Sequence, residues 1–338
     1  MLKHILSEFF FCIPVWILRI FFRKKPIVLR GQVFDFQSSV FLDMQPASVL
    51  HTLPEKAIPK LREVIGANKI KSRSSRTHAN AVEKNDHFID CTIGGQMLLR
   101  EYIPNKTDLN TAILFIHGGG FVIDSVDVYD DMVSYFAGHL GASIFSLDYS
   151  LSPEHKYPVA VTQAEIAFQW LRENKADKVS VCGDSAGAYI GACLTQILAD
   201  KGSVKPHSQL LIYPTCGPNC GFESMDLFAE GFYLLKKDFQ WFWEHFINDA
   251  DSTQDGYLNL LDGSYRKNLP KTIVVTAGFD PIVDEGKQYA KMLKQRGEDI
   301  SELNYPTLFH GFAFMTKLKN PGIAVNHFLD AYKKVLRN

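Results

Sequence analysis

The sequence predicts an α/β fold, a mostly parallel eight-stranded sheet with helices on both faces, and three observations predict it. From about residue 87, short apolar runs alternate with stretches of helical periodicity, the pattern of strands joined by covering helices. Hydrophobic residues make up 46% of the chain and charged residues 22%, with a formal net charge of -1, the balance of a folded domain with a large core. At 338 residues the chain suits two domains or one α/β domain carrying insertions. This balance also argues against a nucleic-acid partner.

The elements follow in order. Residues 1–25, "MLKHILSEFFFCIPVWILRIFFRKK", are rich in Phe, Ile, Leu and Trp, but Glu8 and Arg19 confine the uncharged run to Phe9–Leu18. That is short of the ~20 apolar residues of a spanning helix. The expectation is a cap helix or an interfacial helix anchored by Arg23, Lys24 and Lys25, kinked at Pro14. Either a cytoplasmic or a membrane-associated protein fits this segment. No small-residue cleavage site follows it. Residues 66–86, "GANKIKSRSSRTHANAVEKND", are polar and basic and read as a solvated linker, so residues 1–86 form an N-terminal cap segment and 87–338 the main domain.

Strands are expected at "HFIDCTI" and "QMLLREYI", an antiparallel pair, then at "AILFIH", "ASIFSLDY", "KVSVCG", "QLLIYP", "TIVVTAG" and "SELNYP". Helices are expected near residues 129–140, 159–174, 186–201, 284–297 and 322–336. Residues 215–268 break this rhythm and contain the aromatic run "LLKKDFQWFWEHFIN". They read as an insertion whose helix is half buried and roofs an apolar ligand pocket. The six cysteines are scattered, and only Cys216 and Cys220 are close enough in sequence to suggest a bridge or a redox pair.

Gly183-Asp184-Ser185-Ala186-Gly187 fits G-x-S-x-G between the strand "VSVC" and a helical run, the strand–turn–helix setting of a nucleophile elbow. Its glycines suit a tight, strained turn that approaches neighbouring backbone closely. The plainer reading of Ser185 is a helix N-cap. A serine hydroxyl is a weak nucleophile and needs a base oriented by a third group. Asp280, after "TIVVTAG", and His310, after "SELNYP", stand at strand ends in the order serine, acid, histidine. Asp284 and Glu285 are rival acids, and Asp280 before Pro281 also reads as a helix cap. "FIHGGGFVIDS", after the strand "AILFI", offers backbone amides to a negative oxygen, each worth roughly 3 to 4 kcal/mol in an acyl-transfer transition state. His117 in this loop reads as structural.

On these residues the chain resembles the hormone-sensitive-lipase family of α/β-hydrolases, including its arylacetamide-deacetylase-like carboxylesterases. "HGGGF" at 117–121, "YSLSPEHKYP" at 149–158, "GDSAG" at 183–187, "GFDPIVDEG" at 278–286 and "HGF" at 310–312 occur in family order. The resemblance implies Ser185 as nucleophile, Asp280 as acid, His310 as general base, and an oxyanion hole from Gly118, Gly119, Gly120 and Ala186. It implies no cofactor or metal, a small-molecule or lipid ester as substrate, and a cap helix at "DFQWFWEHF". Ser150, Ser152 and Ala188 depart from the family pattern, as does "GYLNLLDG", and all bear on the pocket rather than the triad. The expected activity is serine-dependent hydrolysis of carboxylic esters. The alternatives are a non-catalytic ligand-binding protein on the same scaffold and a membrane-docked lipase or amide deacetylase.

Overall fold

The computed structural model describes residues 10–11, 13–46, 48–72, 82–107, 109, 111–219, 221–248, 256–262 and 268–337. A two-residue hairpin, β1 (Val28–Leu29) and β2 (Gln32–Val33), precedes the main sheet. That sheet contains β3 (Val82–Ile89), β4 (Met97–Pro104), β5 (Ala112–Ile116), β6 (Ser143–Asp148), β7 (Val179–Asp184), β8 (Ser208–Ile212), β9 (Lys271–Phe279) and β10 (Ile300–Phe309). Its order is β10-β9-β8-β7-β5-β6-β4-β3. Pairing is antiparallel for β3 with β4 and β4 with β6, and parallel elsewhere. All eight expected strands are therefore present.

The helices are α1 (Val15–Phe22), α2 (Phe36–Asp43), α3 (Ile58–Ser72), α4 (Val126–Leu140), α5 (Val159–Asn174), α6 (Ala186–Asp200), α7 (Glu223–Leu227), α8 (Lys236–Phe246), α9 (Val283–Gln295) and α10 (Lys319–Leu336). The central strand shows how they coat the sheet. Successive side chains of a strand point to opposite faces, so on β5 Ile113 and Phe115 pack with Met132 and Phe136 of α4 and Phe328 of α10. Leu114 and Ile116 pack with Phe168 of α5 and Ile190 of α6 on the other face. Both faces are dry, which is why these strands read as unbroken apolar runs.

The chain leaves β5 for β6, returns past β5 to β7, and then moves outward through β8, β9 and β10. The direction of winding reverses between β5 and β7, and such a reversal opens a crevice at the carboxyl ends of the two strands. Between β8 and β9 the described residues hold α7 and α8 and no strand.

Two expectations about the N-terminal part need correction. Residues 66–72 of the expected linker belong to α3, and residues 82–86 belong to β3, while 73–81 lie outside the described residues. Tertiary contacts hold α3: Ile58 is fully buried in a cluster with Val122, Ile123, Trp241 and Phe242. Pro14 does not kink a helix either, since it occupies the N-cap of the eight-residue α1. No helix among the described residues is long and apolar enough to cross a membrane. Cys220 lies outside the described residues, so the Cys216–Cys220 pair does too.

Candidate active site

The buried strand β7 ends at Asp184, and α6 begins at Ala186. Ser185 bridges them at φ 53° and ψ -119°, a left-handed conformation that costs a non-glycine residue about 1–3 kcal/mol. Close packing enforces the turn. A Cβ on Gly187 would lie 2.0 Å from the Ile116 carbonyl oxygen and 2.5 Å from that of His117, and one on Gly183 would lie 2.5 Å from the Gly187 oxygen. The helix-cap reading of Ser185 fails, because its side chain makes no cap hydrogen bond. Its Oγ instead stands 2.9 Å from Nε2 of His310.

His310 follows β10 and Asp280 follows β9, and both are buried. His310 Nδ1 lies 2.8 Å from Asp280 Oδ2, and the Ile282 amide donates to the other carboxylate oxygen at 2.9 Å. With Nδ1–H donated to Asp280, Nε2 presents its lone pair to the Ser185 hydroxyl. The rival acids are engaged elsewhere. Asp284 receives two bonds from the Arg30 guanidinium, at 2.7 and 2.8 Å, and these hold its carboxyl below the ordinary range. Glu285 is buried beside Cys216, and burial pushes its carboxyl well up.

The "HGGG" loop leaves β5 next to this turn. The Gly118 amide is already committed: it donates to Asp184 Oδ1 at 2.9 Å and to the Tyr129 hydroxyl at 3.2 Å. Of the four expected oxyanion donors, then, Gly119, Gly120 and Ala186 keep amides with no partner among the described residues, and Gly118 does not. Asp184 was not singled out in the sequence. Its signal was an acid at the last position of an otherwise apolar strand. Burial raises its carboxyl to about 6 against the opposing pull of its hydrogen bonds from Tyr129 and Gly118. Tyr213 donates to it as well, at 3.3 Å. His117 is structural as expected: Nδ1 bonds the Gly118 carbonyl at 2.7 Å, the ring stacks on Tyr149 with centroids 4.3 Å apart, and burial lowers its basicity.

Helix α8 lies across the loop. A Cβ on Gly120, whose φ is 58°, would fall 2.2 Å from the Phe242 ring, so the loop and the aromatic helix meet with no room for a side chain. Phe246 stacks on Phe121 at 3.8 Å, and the Trp243 edge closes on the same ring at 5.1 Å. The aromatic run is therefore buried against the loop that follows β5.

A family model described as alpha/beta hydrolase fold matches residues 113–314. The carboxylic ester hydrolase LipN of Mycobacterium tuberculosis is 34% identical over 252 residues, covering 71% of this chain and 67% of LipN. An ethyl acetate hydrolase of Pseudomonas putida is 28% identical over 256 residues, 72% of this chain and 80% of that protein. Among solved structures, a fungal esterase from Rhizomucor miehei superposes with a TM-score of 0.81 at 26% identity, covering 92% of this chain and 98% of the other. A Pyrobaculum calidifontis esterase gives a TM-score of 0.79 at 28% identity, covering 89% and 98%.

Proposed function

The chain belongs to the hormone-sensitive-lipase-like family of the α/β-hydrolase fold, and from that premise we propose that it hydrolyses small-molecule carboxylic esters through an acyl-enzyme on Ser185. The observation that carries this reading is the relay from Ser185 Oγ to His310 Nε2 at 2.9 Å and from His310 Nδ1 to Asp280 at 2.8 Å. As Ser185 Oγ attacks the ester carbonyl, its proton passes to His310 Nε2, and Asp280 holds the imidazole in position and stabilises the cation that forms. The amides of Gly119, Gly120 and Ala186 receive the oxyanion. His310 then returns the proton to the departing alkoxide. Water attacks the acyl-enzyme by the same route, the acid leaves, and Ser185 regains its proton.

Within this reading, the residues that precede β3 are an N-terminal cap segment and residues 215–268 an insertion that shapes the pocket over the relay. Ser185→Ala is expected to remove almost all turnover of a short-chain nitrophenyl ester with the fold intact. A fluorophosphonate probe is expected to label Ser185 in the wild type alone. Retained turnover in the variant sinks the assignment, and a wild type that neither turns over nor reacts favours the ligand-binding alternative.

A second reading, contact with an anionic membrane surface, is supported by α1 and the turn after it. Trp16, Ile20 and Phe21 are 65%, 57% and 77% exposed, with exposed Arg19, Arg23 and Lys25 close by. Aromatic side chains beside cations suit a headgroup layer, with each cation contributing about 1 kcal/mol near an anionic surface. Co-sedimentation with phosphatidylserine vesicles should fall at least tenfold for Trp16→Glu/Phe21→Glu; equal binding refutes it.

A further inference from the structure

The loop that carries the oxyanion donors is unusually strained. Gly119, Gly120, Phe121 and Asp124 all have positive φ, at 102°, 58°, 66° and 76°. Two of these four are not glycine, and such conformations persist only where their surroundings over-determine them. Its own short turn supplies two of the bonds, from the Val122 and Ile123 amides to the Gly119 carbonyl at 3.1 and 2.9 Å. Further bonds come from α3, distant in sequence.

Arg62 of α3 donates from Nε to the Val122 carbonyl at 2.7 Å. The same guanidinium reaches the Ser152 carbonyl at 2.6 Å and Glu154 at 2.8 and 2.6 Å, which fixes it from the far side. Two turns along, Lys69 Nζ lies 2.5 Å from Asp124 Oδ2. Asp124 is almost completely buried, with its side chain 1% exposed, and the Lys69 side chain is 22% exposed. A charge pair so far withdrawn from water is held much more firmly than a surface pair. Ile58, at the other end of α3, packs with Val122 and Ile123. One helix therefore grips Val122 and Ile123 through packing, the Val122 carbonyl through a guanidinium, and Asp124 through an ion pair.

We infer that Arg62 and Lys69 are positioning residues that hold the "HGGGF" loop with its amides facing the Ser185 hydroxyl. The inference rests on the proposed esterase reading. They touch no reacting atom, and they act by fixing the backbone that carries Gly119 and Gly120. α3 is thus a strap on the end of the oxyanion loop.

The test uses the full chain with Lys69→Met, Arg62→Met, the conservative Lys69→Arg, and Asp124→Asn as a variant that breaks the same pair from the loop side. The readouts are kcat and KM for a short-chain nitrophenyl ester and the inhibition constant of a trifluoromethyl ketone, which forms a tetrahedral adduct with an oxyanion. Losing one oxyanion donor outright costs about 100- to 1000-fold, so a loosened loop should lower kcat about 10- to 100-fold and leave KM within about threefold. The ketone should weaken in proportion to the fall in kcat/KM, and Lys69→Arg should recover most of both. Lys69→Met/Asp124→Asn should lose little more than either single change, because both break one pair. Either kcat within threefold of wild type in Lys69→Met and Arg62→Met, or a fall in kcat with ketone affinity unchanged, overturns the strap. Turnover that survives Ser185→Ala marks failure of the esterase reading itself.

Discussion

Gly187→Ala is the substitution whose outcome the structure sets most tightly. The added methyl would sit 2.0 Å from the Ile116 carbonyl oxygen, 2.5 Å from that of His117 and 2.6 Å from the Ile116 carbonyl carbon. An ordinary carbon–oxygen contact is about 3.3 Å, so the shortfall is about 1.3 Å. Every atom met is backbone, and no rotamer change relieves it. The start of α6 must move away from the end of β5, which separates Ser185 and Ala186 from the "HGGG" loop. A displacement of about 1 Å between reacting groups costs about 100-fold in rate, equivalent to about 2.7 kcal/mol, and overpacking costs a further 1–3 kcal/mol of stability. Gly191→Ala, one turn further along α6, is the control. Its methyl meets side-chain atoms alone, Val181 Cγ1 at 2.9 Å and Gln209 Nε2 and Ile116 Cδ1 at 3.9 Å, and alanine favours a helix interior by about 1 kcal/mol over glycine. Turnover of a short-chain nitrophenyl ester and urea unfolding should show Gly187→Ala at least 100-fold slower and clearly destabilised. Gly191→Ala should stay within threefold and about 1 kcal/mol of wild type. Gly187→Ala within tenfold of wild type, or equal damage from both changes, would refute the close-approach explanation of the motif.

The remaining outcomes separate the roles of the neighbouring acids. Asp280→Asn should lower kcat about 1000- to 10,000-fold by offering His310 the wrong partner, whereas Asp284→Asn, whose carboxylate is occupied by Arg30, should stay within a few-fold in the same assay. Comparable losses in the two would return the orienting role to dispute. Asp184 predicts a pH dependence of stability. Burial raises its carboxyl from 3.8 to about 6, so the folded chain binds this proton more tightly than the unfolded one. The group's contribution is fully present below about pH 4 and is lost as the pH rises through about 6. The stability of wild type relative to Asp184→Asn should therefore fall by on the order of 3 kcal/mol between pH 4 and 7, measured by urea unfolding; a gap that is flat or widens over that window contradicts the burial argument.

Much of this architecture was legible because local pattern and global fold agree. The central parallel strands β5 and β7 are buried apolar runs, and β7, β9 and β10 end beside Ser185, Asp280 and His310, so the serine, the histidine and the stretch that holds the acid could be placed from strand ends and order. What escaped the sequence depends on contacts between distant residues. α3 has no strong apolar stripe and extends into a basic stretch that read as a linker, because Arg62 and Lys69 are satisfied by Val122, Ser152, Glu154 and Asp124 rather than by water. The early start of β3 at Val82 escaped for a similar reason. Glu83 to Asp86 are polar and exposed, and pairing with β4 fixes the stretch, Val82 opposite Pro104. Asp284 stood as a rival to Asp280 in the sequence, and its engagement by Arg30, more than 250 positions away, is a contact no local pattern announces. The engagement of the Gly118 amide by Asp184 was equally out of reach, since it joins the ends of two adjacent strands.

The segment carrying α7 and α8 departs from β8 and returns to β9, two strands paired side by side. Its stem is tied where it leaves and re-enters: the Tyr213 amide bonds the Val275 carbonyl at 2.7 Å, and the Leu260 amide bonds the Cys216 carbonyl at 2.8 Å. A segment with neighbouring, pinned ends behaves as an interchangeable fitting. Side chains of this segment other than Phe242 and Phe246, which pack on the "HGGGF" loop, can be redrawn without shifting the register of the strands that hold Ser185, Asp280 and His310. Under the proposed pocket-shaping role of this segment, exchanging α8 for another aromatic helix that keeps Phe242 and Phe246 is a route to a new ester preference in which the chemistry stays where it is.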